Sequence, residues 1–146
     1  YLCVVAETLV FPSAGSQFPV PAFMGGLWTL PLFLTTYAGL EAARRLDRPN
    51  PYALLLVVAS VVFGAGEVFL TSAGVWRAVD VATVGGMAFY ILPAELALCT
   101  ATYFAYSEVR RRGVLSRLGA AAAVMVLYVG ACGVSYLLVE RLPGYL

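Results

Sequence analysis

The stretch from Val81 to Tyr106 constrains this chain most. It is long and apolar enough for a membrane span, which takes about 20 predominantly apolar residues. Near its middle it nonetheless carries a carboxyl, Glu95, with Pro93 two residues earlier. A proline inside a helix has no N–H to give, and its ring clashes with the carbonyl four residues back. Read as one helix, the stretch has the carbonyl of Phe89 freed and a kink just ahead of the acid. An acid at membrane depth costs roughly 2.5–3.5 kcal/mol on insertion scales and is a functional candidate for that reason. The rest of the chain is therefore read as the surroundings of Glu95.

Of the 146 residues, 62% are apolar, against about 45–50% in ordinary soluble domains. The expected fold is all-α, a single polytopic transmembrane bundle of about five helices over residues 1–146. A net charge of +1 leaves no basic face for nucleic acid. The basic residues are nine Arg, with no Lys and no His. Without Lys there is no Schiff base, hence no retinal-type pigment, and no P-loop. Without His there is no Ser-His relay and no imidazole ligand for haem, zinc, copper or chlorophyll. Cys3, Cys99 and Cys132 lie in apolar runs without CxxC spacing and read as packing thiols. The residues imply no metal or cofactor. Chemistry is left to carboxylates, Arg, Tyr, Trp, hydroxyls and backbone.

In chain order, Tyr1–Phe11 reads as the last part of a helix containing Glu7, with a signal-peptide core as the alternative. Pro12–Pro21 is a loop. A helix is expected from about Phe23 to Leu40, closing with Glu41, Arg44 and Arg45, with Pro31 loosening the turn that holds Trp28. Asn50 suits a cap and Pro51 the first position of a helix running to Leu70, uncharged until Glu67. A loop, Thr71–Asp80, leads into the expected helix Val81–Tyr106. Ser116 can cap a last helix, to about Val139, whose stripe of Gly119, Ala123, Val126, Gly130 and Gly133 is a packing face. Such Gly/Ala faces would serve a homo- or hetero-oligomer.

Arg sets the expected orientation. Arg44, Arg45 and Arg48 lie in one connection and Arg110, Arg111, Arg112 and Arg117 in another, and alternating helices put both on the cytoplasmic side. The expected location is a bacterial or archaeal cytoplasmic membrane. Two segments, within 1–48 and 60–112, repeat an order of features at an offset of about 60 residues. Glu7, Ser13-Ala14-Gly15, Gly25-Gly26, Leu30-Pro31 and Glu41 answer to Glu67, Ser72-Ala73-Gly74, Gly85-Gly86, Leu92-Pro93 and Glu108. Each segment holds two helices, a tandem repeat of parallel topology, and such bundles often place a site at the repeat interface.

Burial disfavours the charged form of a carboxyl. A protonated Glu95 in a dry pocket suits protonation of an alkene or epoxide. Trp28, Trp76, Phe89, Tyr90 and Tyr103 are candidates to line the pocket, since aromatic faces attract cations and a carbocation is one. Glu67 or Asp80 would orient the acid or take the proton back. The structural alternative has Glu95 bonding the carbonyl freed by Pro93 or pairing with Arg77, Glu7 and Glu67 as solvated end charges, and Trp76 as an interfacial anchor.

Glu67, then Gly74-Val75-Trp76, then Leu92-Pro93-Ala94-Glu95 is similar to the small integral-membrane lycopene cyclases, in which an acid precedes a Gly-x-Trp loop and a Pro-x-Glu-Glu motif opens the next helix. Membrane-bound meroterpenoid cyclases look broadly like this too. The resemblance covers about Glu67–Tyr106. It implies metal-independent, non-redox cyclisation of an isoprenoid chain by acid initiation, with a lipophilic substrate entering from the bilayer. Leu96 stands where the family motif has its second Glu, the aromatic pair expected after it is absent, and the first half lacks the acid. Two other expectations compete with a cyclase: a non-catalytic membrane subunit or scaffold, and a small proton-coupled transporter.

Overall fold

The computed structural model describes residues 9–10, 24–45 and 50–142. Glu7, the loop Pro12–Pro21 and the turn residues 46–49 lie outside them. Strand β1 is Leu9–Val10, helix α1 Met24–Arg45 and helix α2 Pro51–Ser72. Three short strands follow, β2 Arg77–Ala78, β3 Thr83–Val84 and β4 Met87–Ala88. Helix α3 is Ile91–Val109, and α4 is Val114–Tyr136, running on into a π-helical turn, Leu137–Arg141.

Local chemistry explains most of these boundaries. Asn50 Oδ1 accepts from the Tyr52 backbone N–H at 3.0 Å, and Pro51 opens α2 where its missing N–H has no partner to lose. Pro31 sits inside α1 without ending it, and the buried Thr35 hydroxyl donates to the Pro31 carbonyl at 2.8 Å. Arg44 and Arg45 close α1 and pair with Glu41 on the exposed surface. The last helix starts two residues before Ser116, with Gly113 rather than that serine at its N-cap.

Pro51–Ser72 and Val114–Arg141 are each long and apolar enough to cross a membrane. A core helix of a soluble protein passes the same test but is mostly buried. In these two, only 22% and 11% of the apolar stretch is buried inside the protein. Val57, Val61 and Phe69 of α2, and Leu115, Val126 and Leu138 of the last helix, stand exposed. Apolar surface on this scale suits lipid around it, and these two helices support a membrane location for the chain.

The expected helix from Val81 to Tyr106 is only partly helical. Val81–Tyr90 instead folds back through β3 and β4, paired antiparallel with Thr83 opposite Ala88 and Val84 opposite Met87. Between them Gly85 and Gly86 have φ of 59° and 84°. Two central residues with positive φ are what a two-residue type I′ hairpin turn requires, and glycine meets that without strain. The turn packs on the end of α2, against Val68 and Thr71. Since α3 begins at Ile91, Pro93 lies in its first turn, where no N–H is needed. There is no proline kink to make, and Phe89 lies before the helix with its N–H donated to the Ala82 carbonyl at 2.9 Å.

The expected first helix also gives way where it is described. Leu9–Val10 is extended and pairs antiparallel with Arg77–Ala78. The proposed repeat brings unlike structures into register: Gly25-Gly26 lies in the first turn of α1 and Gly85-Gly86 in the hairpin turn. Leu30-Pro31 is well inside α1, whereas Leu92-Pro93 opens α3.

The core has two parts. One gathers Trp76, Ala88, Tyr90 and Ile91 under the strands, with Leu27, Trp28 and Tyr136 against them. The other is Ala59, Phe63 and Cys99 between α2 and α3, closed by Trp28, Leu32, Leu92 and Leu96. Trp28 belongs to both, and the acids lie at that junction.

A buried carboxyl pair under two tryptophans

Glu67 follows Phe63 by one turn on α2, and Glu95 precedes Cys99 by one turn on α3. The helix period therefore turns both carboxyls into the same interior as the second core cluster. Glu95 is 0% exposed and Glu67 3%. The two side chains meet, with the Trp28 indole beside Glu95 and the Trp76 indole beside Glu67. Neither oxygen of Glu95, nor Oε2 of Glu67, completes a hydrogen bond of full geometry. Two carboxyls side by side out of water are a costly arrangement to bury, since they share no partner of opposite charge.

The tryptophans roof this pair. Their rings stack with centroids 5.3 Å apart and planes 27° off parallel. Trp76 is 1% exposed, so it is a core residue and not an interfacial anchor. Tyr90, also buried, meets Tyr136 edge-on at 5.3 Å, and the Ser135 hydroxyl donates to the Tyr90 carbonyl at 2.5 Å. Those contacts lock the start of α3 to the end of the last helix. Glu140 adds a second tie, both its oxygens accepting from the Ala82 N–H at 3.0–3.1 Å. Below the acids, Thr35 Oγ1 lies 3.5 Å from Cys99 Sγ.

The structure brings together Glu67, Glu95, Trp28, Trp76 and Tyr90 of the residues singled out by sequence. It does not bring the others. Asp80 is exposed, at φ 52° in the bend between β2 and β3. Phe89 is 42% exposed, because the hairpin turns it away from Tyr90. Tyr103 is buried two turns further along α3, edge-on to Tyr52 and against Gly39. Arg77 is exposed and makes no ion pair with Glu95; the salt bridges among the described residues are those of Glu41. Sequence reasoning missed Thr35, wholly buried in the same region. Its signal is its place seven residues after Trp28, two turns along one face of α1. No group of His, Cys, Asp and Glu side chains among the described residues is arranged to hold a metal.

A domain of unknown function, DUF6989, matches residues 1–139. The chain belongs to the DUF6989 family. Comparison with curated proteins and with solved structures finds no match. The DUF6989 site thus has to be interpreted from its own geometry, and that geometry is a buried acid pair in a dry aromatic setting.

Proposed function

We propose that this DUF6989 protein is an intramembrane cyclase of isoprenoid or terpenoid chains, working by proton transfer alone. The observation that carries the reading is the Glu67–Glu95 pair, closed to water and roofed by stacked indoles. The sequence likeness of the Glu67…Trp76…Pro93-Ala94-Glu95 segment to membrane lycopene cyclases supports it independently.

In this reading Glu95 is the general acid. It gives its proton to a terminal alkene, or to an epoxide oxygen, and leaves a carbocation. An internal double bond of the same chain closes on that cation and the ring forms. Glu67, as carboxylate, then takes a proton from the carbon beside the new cation. The product is an isomer of the substrate, and nothing is oxidised or reduced. A proton passed from Glu67 to Glu95 across their contact restores the starting state. Trp28, Trp76 and Tyr90 face the passing cation with their ring electrons.

Both acids are sealed, so a lipophilic substrate enters from the bilayer by parting the Trp28–Trp76 stack. α3, at 19 residues and roughly 28 Å, nearly matches a hydrocarbon core of about 30 Å. In the proposed topology α1 and α3 therefore cross alongside α2 and the last helix. The Arg-rich ends at Arg44-Arg45 and Arg110–Arg112 then face the cytoplasm. Mass spectrometry of lipid extracts from cells supplied with linear isoprenoids tests the reading. A new isomer of unchanged mass and shifted retention, present with wild type and absent with Glu95→Gln, is expected. Identical extracts across several chain lengths would overturn it.

A further inference from the structure

Behind the acid pair, on the opposite face of α3, an apolar groove of about 800 Å³ opens between α2, α3 and α4. Its floor is small, formed by Ala97, Ala101 and Ala105, and its walls are Leu56, Phe104 and Leu127. Along α3 it extends from Leu96 to Val109, roughly 20 Å of helix. Thr100, the polar residue midway, has its hydroxyl turned back onto the Leu96 carbonyl at 2.8 Å. The groove therefore offers a hydrocarbon chain an apolar bed with no hydrogen-bond demand.

One end of this groove is charged. It stops at Glu108 and Val109, directly before the turn that carries Arg110, Arg111 and Arg112, with Arg117 on the first turns of α4. Two of these side chains are held on the turn itself. Arg112 Nε donates to the Glu108 carbonyl at 3.4 Å. Arg117 donates from Nε to the Arg112 carbonyl at 3.1 Å and from Nη2 to the Arg110 carbonyl at 2.8 Å. A guanidinium has five N–H donors, so both keep donors for an anion. Four arginines stand against the single acid of the mouth.

We propose that this groove seats one acyl chain of an anionic phospholipid, with the phosphate on Arg112 and Arg117. Charge complementarity chooses the occupant. A second copy of the chain would lie in the same orientation in the membrane and bring its own arginines to the same level, where like charges repel. A phosphate at that level neutralises them, and each Arg near an anionic lipid surface favours binding by about fivefold. The site is separate from the acid pair and does not depend on the cyclase reading.

Native mass spectrometry of the whole protein, purified in detergent, tests the proposal. The probes are phosphatidylglycerol and phosphatidylcholine with identical acyl chains. Wild type is expected to retain one phosphatidylglycerol at least tenfold more strongly than phosphatidylcholine. The double variant Arg112→Gln/Arg117→Gln is expected to lose most of that preference, at about fivefold per arginine. Ala101→Leu and Ala105→Leu, each filling the floor, are expected to lower retention of both lipids, with helix content by circular dichroism unchanged. If the filled variants lose helix content, the arginine variant, outside the groove, decides alone. Equal retention of the two lipids by wild type overturns the proposal. So does a phosphatidylglycerol preference untouched by the arginine changes, or unchanged lipid retention in a folded filled variant. A wild-type dimer that Ala101→Leu turns into a lipid-free monomer also overturns it, assigning the groove to a second copy.

Discussion

Replacing Glu95 by Gln is expected to make the protein more stable while removing its acid. Three buried oxygens, Oε1 and Oε2 of Glu95 and Oε2 of Glu67, lack a hydrogen bond of full geometry. A buried polar group left without a partner costs about 1–3 kcal/mol. Gln keeps the size of Glu and offers two N–H donors beside the Glu67 carboxyl, so that carboxyl gains a partner that needs no shared proton. Relief at one of these groups gives a gain of about 1–2 kcal/mol. At about 2–4 °C per kcal/mol for a chain of this size, the melting temperature rises by roughly 3–6 °C. Thermal unfolding in detergent, followed by far-ultraviolet circular dichroism, measures it. Glu95→Ala serves as the contrast, since it leaves a cavity and a lone buried Glu67, and should melt below wild type. An E95Q protein melting several degrees below wild type would refute the reasoning, showing Glu95 to be a satisfied structural group. Stability given up for an acid pair is the pattern of a functional site.

Three other outcomes follow from packing. Gly86→Ala puts a Cβ at φ 84°, 3.0 Å from Thr71 Cγ2, and should cost about 1–2 kcal/mol, read as a lower melting temperature. Gly39→Ala sets a Cβ 3.0 Å from Leu55 Cδ1 and 3.2 Å from the Tyr103 ring; an overpacking cost of about 1–3 kcal/mol is expected in the same assay. Glu140→Ala removes the acceptor of the Ala82 N–H, and hydrogen exchange should be faster at that amide while α2 is unchanged.

The helices with clear punctuation were legible from sequence. Asn50-Pro51 fixes the start of α2, and the Glu41–Arg45 cluster fixes the end of α1. The start of α3 was not, because Val81–Tyr90 is as apolar as the helix after it and its strands are two residues long. Only Gly85-Gly86 marks the reversal, and in an apolar run a glycine pair also suits close helix packing. That one misreading moved several side chains. Phe89 and Tyr90 are both candidates to line the pocket by sequence, whereas the hairpin buries Tyr90 and exposes Phe89. Asp80, a candidate by sequence to orient the acid or take its proton back, falls in an exposed bend instead.

The acid pair itself was legible as two candidates, since buried-type acids stand out in apolar runs. Their meeting was not, because it depends on how α2 and α3 rotate against each other. Trp28 and Trp76 were legible as aromatics but not as a stack, since they lie far apart in sequence and meet only through the fold. Thr35 gave no polar signal at all, because its hydroxyl is spent on its own helix.

The most direct test of the central claim is proton transfer from the acid pair. Purified protein in detergent, equilibrated in D₂O so that the acid pair carries deuterium and held in excess over a linear isoprenoid so that each site turns over once, is analysed by mass spectrometry. The account predicts a cyclised isomer carrying one deuterium with wild type, and no isomer with a folded Glu95→Gln protein. An isomer without deuterium, or one formed equally well by Glu95→Gln, would contradict it.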